Sequence, residues 1–148
     1  VARTKVLDTI HPYDGFYDRD GRCRVRVWQG EGLEPVIVVS DLPDNPSTSI
    51  TNLAEYLWPE VLARYLPGWL EQAEYCHLIE HYPGRPNRSG RRERSEFDRV
   101  TFASWTPRIG RDHGKPRVTF GEPDWRHLSR AELVALIGEE GLEGERVD

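Results

Sequence analysis

Cysteine is scarce in this chain. Cys23 and Cys76 are the only two, and neither belongs to a Cys-x-x-Cys pair. Their first reading is two small buried hydrophobes in a reducing compartment, with a disulfide or a reactive thiol as the alternatives. No apolar run approaches the roughly 20 residues that a membrane helix needs, so no membrane partner is expected. Residues Val1 to Leu7 carry charge and lack an extended apolar core. No signal peptide is therefore expected, and the prediction is a cytoplasmic protein. A basic balance is missing as well: the net charge is −5 and the sequence pI about 5.6, which disfavours a dedicated duplex-DNA binder.

The familiar catalytic signatures are also missing. There is no Gly-x-Ser-x-Gly elbow, no P-loop spacing and no dinucleotide fingerprint, and no Ser-His-Asp set can be chosen from spacing alone. No cofactor and no metal are expected. His77, Glu80 and His81 would need a third ligand such as Asp41, His113 or His127 to hold a metal ion, and nothing in the spacing demands one.

What is present suits one globular domain spanning residues 1–148, with 37% hydrophobic and 30% charged residues. Five tryptophans and six tyrosines argue against disorder. Lys5 to Ile10 alternates weakly, as an edge strand does. Arg22 to Gln29 alternates cleanly, with Cys23, Val25 and Val27 pointing one way and Arg22, Arg24, Arg26 and Trp28 the other. Val36 to Val39 is a continuous β-branched and aliphatic run that suits a central strand buried on both faces. Ile50, Leu53, Leu57, Val61, Leu62 and Tyr65 recur at helical spacing, with Pro59 expected to kink the helix or divide it into two. Tyr75 to Tyr82, Phe97 to Trp105 and Pro116 to Phe120 read as further strands. Ser129 and Glu132 form a capping box, with Leu128 and Leu133 as its staple, and Gly138 or Gly141 is expected to close that helix. The segment 138–148 holds five acids and one arginine and reads as a solvated acidic tail.

The order is roughly β-β-β-α-β-β-β-α. It predicts an α+β fold: an antiparallel or mixed sheet of about five or six strands, with two main helices on one face. The echo between Arg99-Val100-Thr101-Phe102 and Arg117-Val118-Thr119-Phe120 suggests neighbouring strands with the same facing. Val25, Val27, Val36, Val38, Leu53, Leu57, Val61, Val100, Phe102, Val118, Phe120, Leu133 and Ile137 are the expected core.

Leu42-Pro43-Asp44-Asn45-Pro46-Ser47-Thr48-Ser49-Ile50-Thr51-Asn52, then Glu80-His81-Tyr82-Pro83, then Phe97-Asp98-Arg99-Val100-Thr101-Phe102 follow one another in that order. This pattern resembles a group of small uncharacterised bacterial proteins with an LPDNPGTSITN-like loop, an EHYP-like strand end and an FD-x-VTF strand. The likeness spans about the middle half of the chain. It implies a shared fold and brings no activity with it. Ser47 stands where the group's pattern has glycine, which counts against a backbone cradle in that loop.

Three constellations are candidates for function. Asn45, Ser47, Thr48, Ser49 and Asn52 lie just before a helix, where free backbone N–H groups favour an anion, although the same residue types are ordinary caps and turn formers. Glu80 and His81 end a strand, where an acid–base pair is well mounted; the plainer reading is a hydrogen-bonded anchor for the following turn. Arg24, Arg26, Trp28, Arg99 and Arg117, with Thr101, Trp105 and Thr119, share the outward face of the sheet. The segment 85–96, with five arginines and two glutamates, adds Arg91 and Arg92 at its rim. Arginine beside exposed aromatics suits a protein partner or single-stranded nucleic acid, while a solvated face is the plainer reading. The preferred function is a non-catalytic binding or accessory module using that Arg/Trp face. The alternative is a phosphoester- or nucleotide-processing enzyme with its anion site at 44–52 and Glu80/His81 as acid–base pair.

Overall fold

The computed structural model describes residues 3–13, 21–41, 58, 60–68, 76–82, 101–105, 107–120 and 126–145, with the backbone alone described at 41, 80–82, 101–105, 107–112, 115–120 and 126–127. The strands are β1 (Thr4–Tyr13), β2 (Gly21–Gln29), β3 (Val36–Asp41), β4 (His77–Tyr82), β5 (Thr101–Trp105), β6 (Pro107–Asp112), β7 (Lys115–Phe120) and β8 (Arg126–His127). Helical residues 60–65, preceded by the helical Trp58, form α1. Helix α2 runs Arg130–Gly144.

The class is α+β, with a mixed sheet and, among the described residues, two helices. β1, β2 and β3 pair antiparallel, and β3 and β4 pair parallel. The parallel step follows from the chain passing through α1 between them, since a parallel neighbour needs a crossover. These four strands, rather than the five or six expected, make the sheet on which the helices pack. Its backbone ladder runs on through β5 and the two-residue β8, in the order β1-β2-β3-β4-β5-β8. β6 and β7 form a separate ribbon closed at His113-Gly114, both at positive φ (50° and 79°), as a tight two-residue hairpin requires.

The helices do not share a face. Cys23, Val25, Val27, Ile37, Val39 and Leu78 pack with Trp58, Val61, Leu62 and Leu66 of the α1 region. Trp28, Val36, Val38 and Ile79 pack with Leu133, Ile137 and Leu142 of α2. Successive strand residues serve opposite faces, so α1 covers one side of the sheet and α2 the other. The physical reason lies in β3: Val36, Ile37, Val38 and Val39 are all fully buried, and such a strand needs a layer on each side.

Of the expected core, Val25, Val27, Val36, Val38, Val61, Leu133 and Ile137 are buried. Leu53, Leu57 and Val100 lie outside the described residues. The echo does not mark neighbouring strands, because β5 pairs with β4 and β8 whereas β7 pairs with β6. A shared four-residue wording reflects strand preference and carries no pairing information.

α2 begins as its capping box dictates: Ser129 Oγ accepts from the Glu132 N–H at 3.2 Å, and Glu132 reaches back to the Ser129 N–H. It does not end at Gly138. That residue leaves helical geometry (φ 76°, ψ 167°), and the helix resumes to Gly144. The stretch expected to be a solvated tail thus returns to the sheet, with Gly141, Leu142 and Glu145 buried.

Among the described residues, no helix is long and apolar enough to cross a membrane. Both cysteines are buried thiols outside any disulfide, and burial pushes the Cys76 thiol up to about 12, leaving it protonated at neutral pH.

Candidate binding face

The sheet face bearing Arg24, Arg26 and Trp28 has the parity that the alternation of β2 predicts, but it is not open. Arg26 is 0% exposed and Trp28 7%, and the C-terminal part of α2 lies over both. This corrects the expectation of an outward face. A fully buried guanidinium must be paired and hydrogen-bonded, and Arg26 is. Its Nε donates to Glu145 Oε1 at 2.8 Å, and its Nη2 donates to Glu145 Oε2, a two-pronged carboxylate pair. Its Nη1 donates to the Arg24 carbonyl at 2.8 Å and to Ser40 Oγ at 2.9 Å.

Arg24, half-buried, donates to both oxygens of Asp8 on β1, at 2.8 and 2.6 Å, and more weakly to the Gly144 carbonyl at 3.4 Å. Lys5 joins Asp8 at 3.0 Å. The Arg24 bonds hold the Asp8 carboxyl well below its ordinary 3.8, against the upward push of burial, with Lys5 adding to the lowering. The same bonds hold Arg24 above its ordinary value. The Asp8 contribution to stability is therefore present above pH 3.8 and is lost as the pH falls through the lower native value. Asp8→Asn is expected to cost about 0.5–1 kcal/mol at pH 7, because the pair is partly screened by solvent. The difference should vanish in strong acid. Urea unfolding of both forms across that range checks this, and a pH-independent difference would refute it.

Trp28 completes the face. Its ring closes on Gly141, where a Cβ would stand 2.7 Å from Trp28 Cη2, so only glycine permits this approach. Trp28 Nε1 is buried with no hydrogen-bond partner among the described residues. Glu145, Ser40 and Asp8 are the residues of this site that sequence reasoning missed. One signal was available: an acid at a helix C-terminus opposes the helix dipole, and α2 has no basic residue in its last turn. A carboxylate so placed calls for a cation from elsewhere in the chain.

A second polar cluster lies on the α1 side. His11 is fully buried. Its Nδ1 stands 3.0 Å from the Tyr65 hydroxyl, and its Nε2 is 3.2 Å from Glu60 Oε1, without the alignment of a hydrogen bond. Burial, first among the causes, raises the Tyr65 phenol above its ordinary value. The hydroxyl thus keeps its proton and shares a hydrogen bond with His11 Nδ1, the direction of which the imidazole tautomer sets. The trio ties α1 to the edge strand and offers no phenolate.

The remaining sequence candidates fall as follows. Glu80 is in register with Val39 and Ala103, and His81 with Ser40 and Phe102. Consecutive strand positions belong to opposite faces, so the two do not share one. The carboxyl ends of parallel β3 and β4 lie together, at the sheet end from which the chain enters 42–52. Asn45, Ser47, Thr48, Ser49, Asn52, Arg91, Arg92 and Arg99 lie outside the described residues. Arg117 is in register with Gly110 on the β6–β7 ribbon, which is not hydrogen-bonded into the sheet that carries Arg24 and Arg26. His77 Nε2 is 3.9 Å from Glu34 Oε2. The chain matches no family model, no curated protein and no solved structure.

Proposed function

We propose that this chain is a non-catalytic binding module for acidic partners, with Arg24, Arg26 and Trp28 as the seat and the charge of the arginine-bearing segments 85–99 and 107–120 drawing the partner in. One observation carries the reading: the seat already holds an acidic segment of the same chain, with the Glu145 carboxylate gripped by Arg26. Two arginines beside an indole, with an apolar floor of Val36, Val38 and Ile79, are the chemistry that recognises a carboxylate flanked by an aliphatic side chain.

These basic segments steer rather than grip. The segment 107–120 has four basic residues against one acidic, and 85–96 has five against two, in a chain of net charge −5. Acids therefore crowd the rest of the molecule, and a partner of negative charge is drawn to these segments. The test is a full-length Arg91→Glu, Arg92→Glu variant titrated with a fluorescein-labelled glutamate-rich peptide and, separately, with a labelled oligothymidylate, over a salt series. Binding of the peptide should weaken about tenfold at low salt, with a shallower salt slope. Unchanged affinity and unchanged slope for both probes would overturn the reading.

A further inference from the structure

We propose that residues 139–145 are a displaceable strap, an internal stand-in for an acidic peptide whose carboxylate takes the place of Glu145 on Arg26; this rests on the binding reading above and adds its regulation and the partner's chemistry.

The strap is set off from the rest of α2 by one residue. Gly138 has φ 76° and ψ 167°, a region open to glycine and closed to side-chain-bearing residues. Nothing lies within 4 Å of the position its Cβ would take, so the pivot is unpacked. On one side, residues 130–137 are held by the capping box and by Leu133 and Ile137 against the sheet. On the other, the helical residues 139–144 are fewer than two turns. A helix this short has no stability of its own and stays in place through contacts with its neighbours, chiefly Leu142, Gly141 and Glu145, with the exposed Arg130–Glu139 pair and the long Arg24–Gly144 carbonyl bond beside them.

The seat also fits its occupant imperfectly. Trp28, whose ring edge the strap meets at Gly141, keeps Nε1 buried without an acceptor among the described residues, and Glu143 and Glu145 stand at the end of α2 where the dipole disfavours acids. An opened strap returns Arg26 and Trp28 Nε1 to water, so opening relieves as well as costs. A ligand that binds only the open seat then shifts the population. Its chemistry is read from what it replaces: a peptide with an aliphatic residue three positions before a carboxylate, as Leu142 precedes Glu145, and an acceptor for the Trp28 indole. The apolar seat of Leu142, 2% exposed, favours a peptide over a nucleic-acid strand.

The probe is a fluorescein-labelled synthetic peptide of residues 139–148, titrated into the full chain by anisotropy. Gly138→Ala touches neither Arg26 nor Glu145, and its added methyl meets no atom; it acts only by forbidding the pivot conformation. Glu145→Gln removes the strap's charge and serves where Gly138→Ala fails to fold. Each release variant is expected to bind the peptide about tenfold or more tightly than the wild type, because the closed strap taxes apparent affinity by the open fraction. Adding Arg26→Met should remove that gain. In the wild type, amides of 139–145 should exchange roughly tenfold faster than those of 133–137. Equal affinities with equal exchange would overturn the strap while leaving the Arg91/Arg92 titration to decide the binding reading. A gain for oligothymidylate with none for the peptide would overturn the partner class.

Discussion

Trp58→Ala is expected to remove about 3–5 kcal/mol of stability, the range for emptying a buried aromatic site. Trp58 is 1% exposed and belongs to one buried cluster with Tyr13, Cys23, Val25, Val27, Ile37 and Val39 of β1, β2 and β3. Four of those residues are β-branched and fixed by strand pairing, which leaves little scope for the site to collapse and little relief from the cavity. Typical domains are stable by only about 5–15 kcal/mol, so the loss is a large fraction of the whole. Urea unfolding should show a lower midpoint with an unchanged slope, and Trp58→Phe should recover about half of the loss. A loss below about 1 kcal/mol would mean that the ring is not enclosed.

Trp58 also marks where sequence reasoning stopped short. The helical pattern was legible through Val61, Leu62 and Tyr65, but tryptophan fell outside the aliphatic repeat that defined it. Strand parity was legible throughout β2, because the alternation of Cys23, Val25 and Val27 with Arg24 and Arg26 needs only local geometry. What covers each face was not, since it depends on contacts distant along the chain: Arg26 and Glu145 are 119 positions apart. Even so, β3 already carried the answer. Four consecutive apolar residues from Val36 to Val39 require two covering layers, and that requirement excludes both helices lying on one face. Gly138 misled for a local reason. Its identity marks a positive φ, which ends most helices but here redirects one.

The buried pair gives the second large effect. Glu145→Ala is expected to cost about 3 kcal/mol, the lower end of the roughly 3–5 kcal/mol for stranding a buried charge. The lower end applies because Gly138 allows the segment to swing away and Arg26 to regain water. The double variant Arg26→Met, Glu145→Leu should recover most of the loss, since an apolar pair of similar volume needs no desolvation of charge. Arg26→Met alone leaves the Glu145 carboxylate without its cation, but at a chain segment able to move, so it should cost less than Glu145→Ala. The single variants Arg26→Met and Glu145→Leu, the double variant and the wild type close a thermodynamic cycle, and the coupling should exceed about 1.5 kcal/mol for groups in direct contact. Salt provides the control. A pair at 0% and 2% side-chain exposure is screened far less than the partly exposed Arg24–Asp8 pair. The cost of Glu145→Ala should therefore hold between low and high salt, whereas that of Asp8→Asn shrinks. A Glu145→Ala cost that fell with salt as steeply as the Asp8→Asn cost would place the carboxylate in solvent and contradict the covered face.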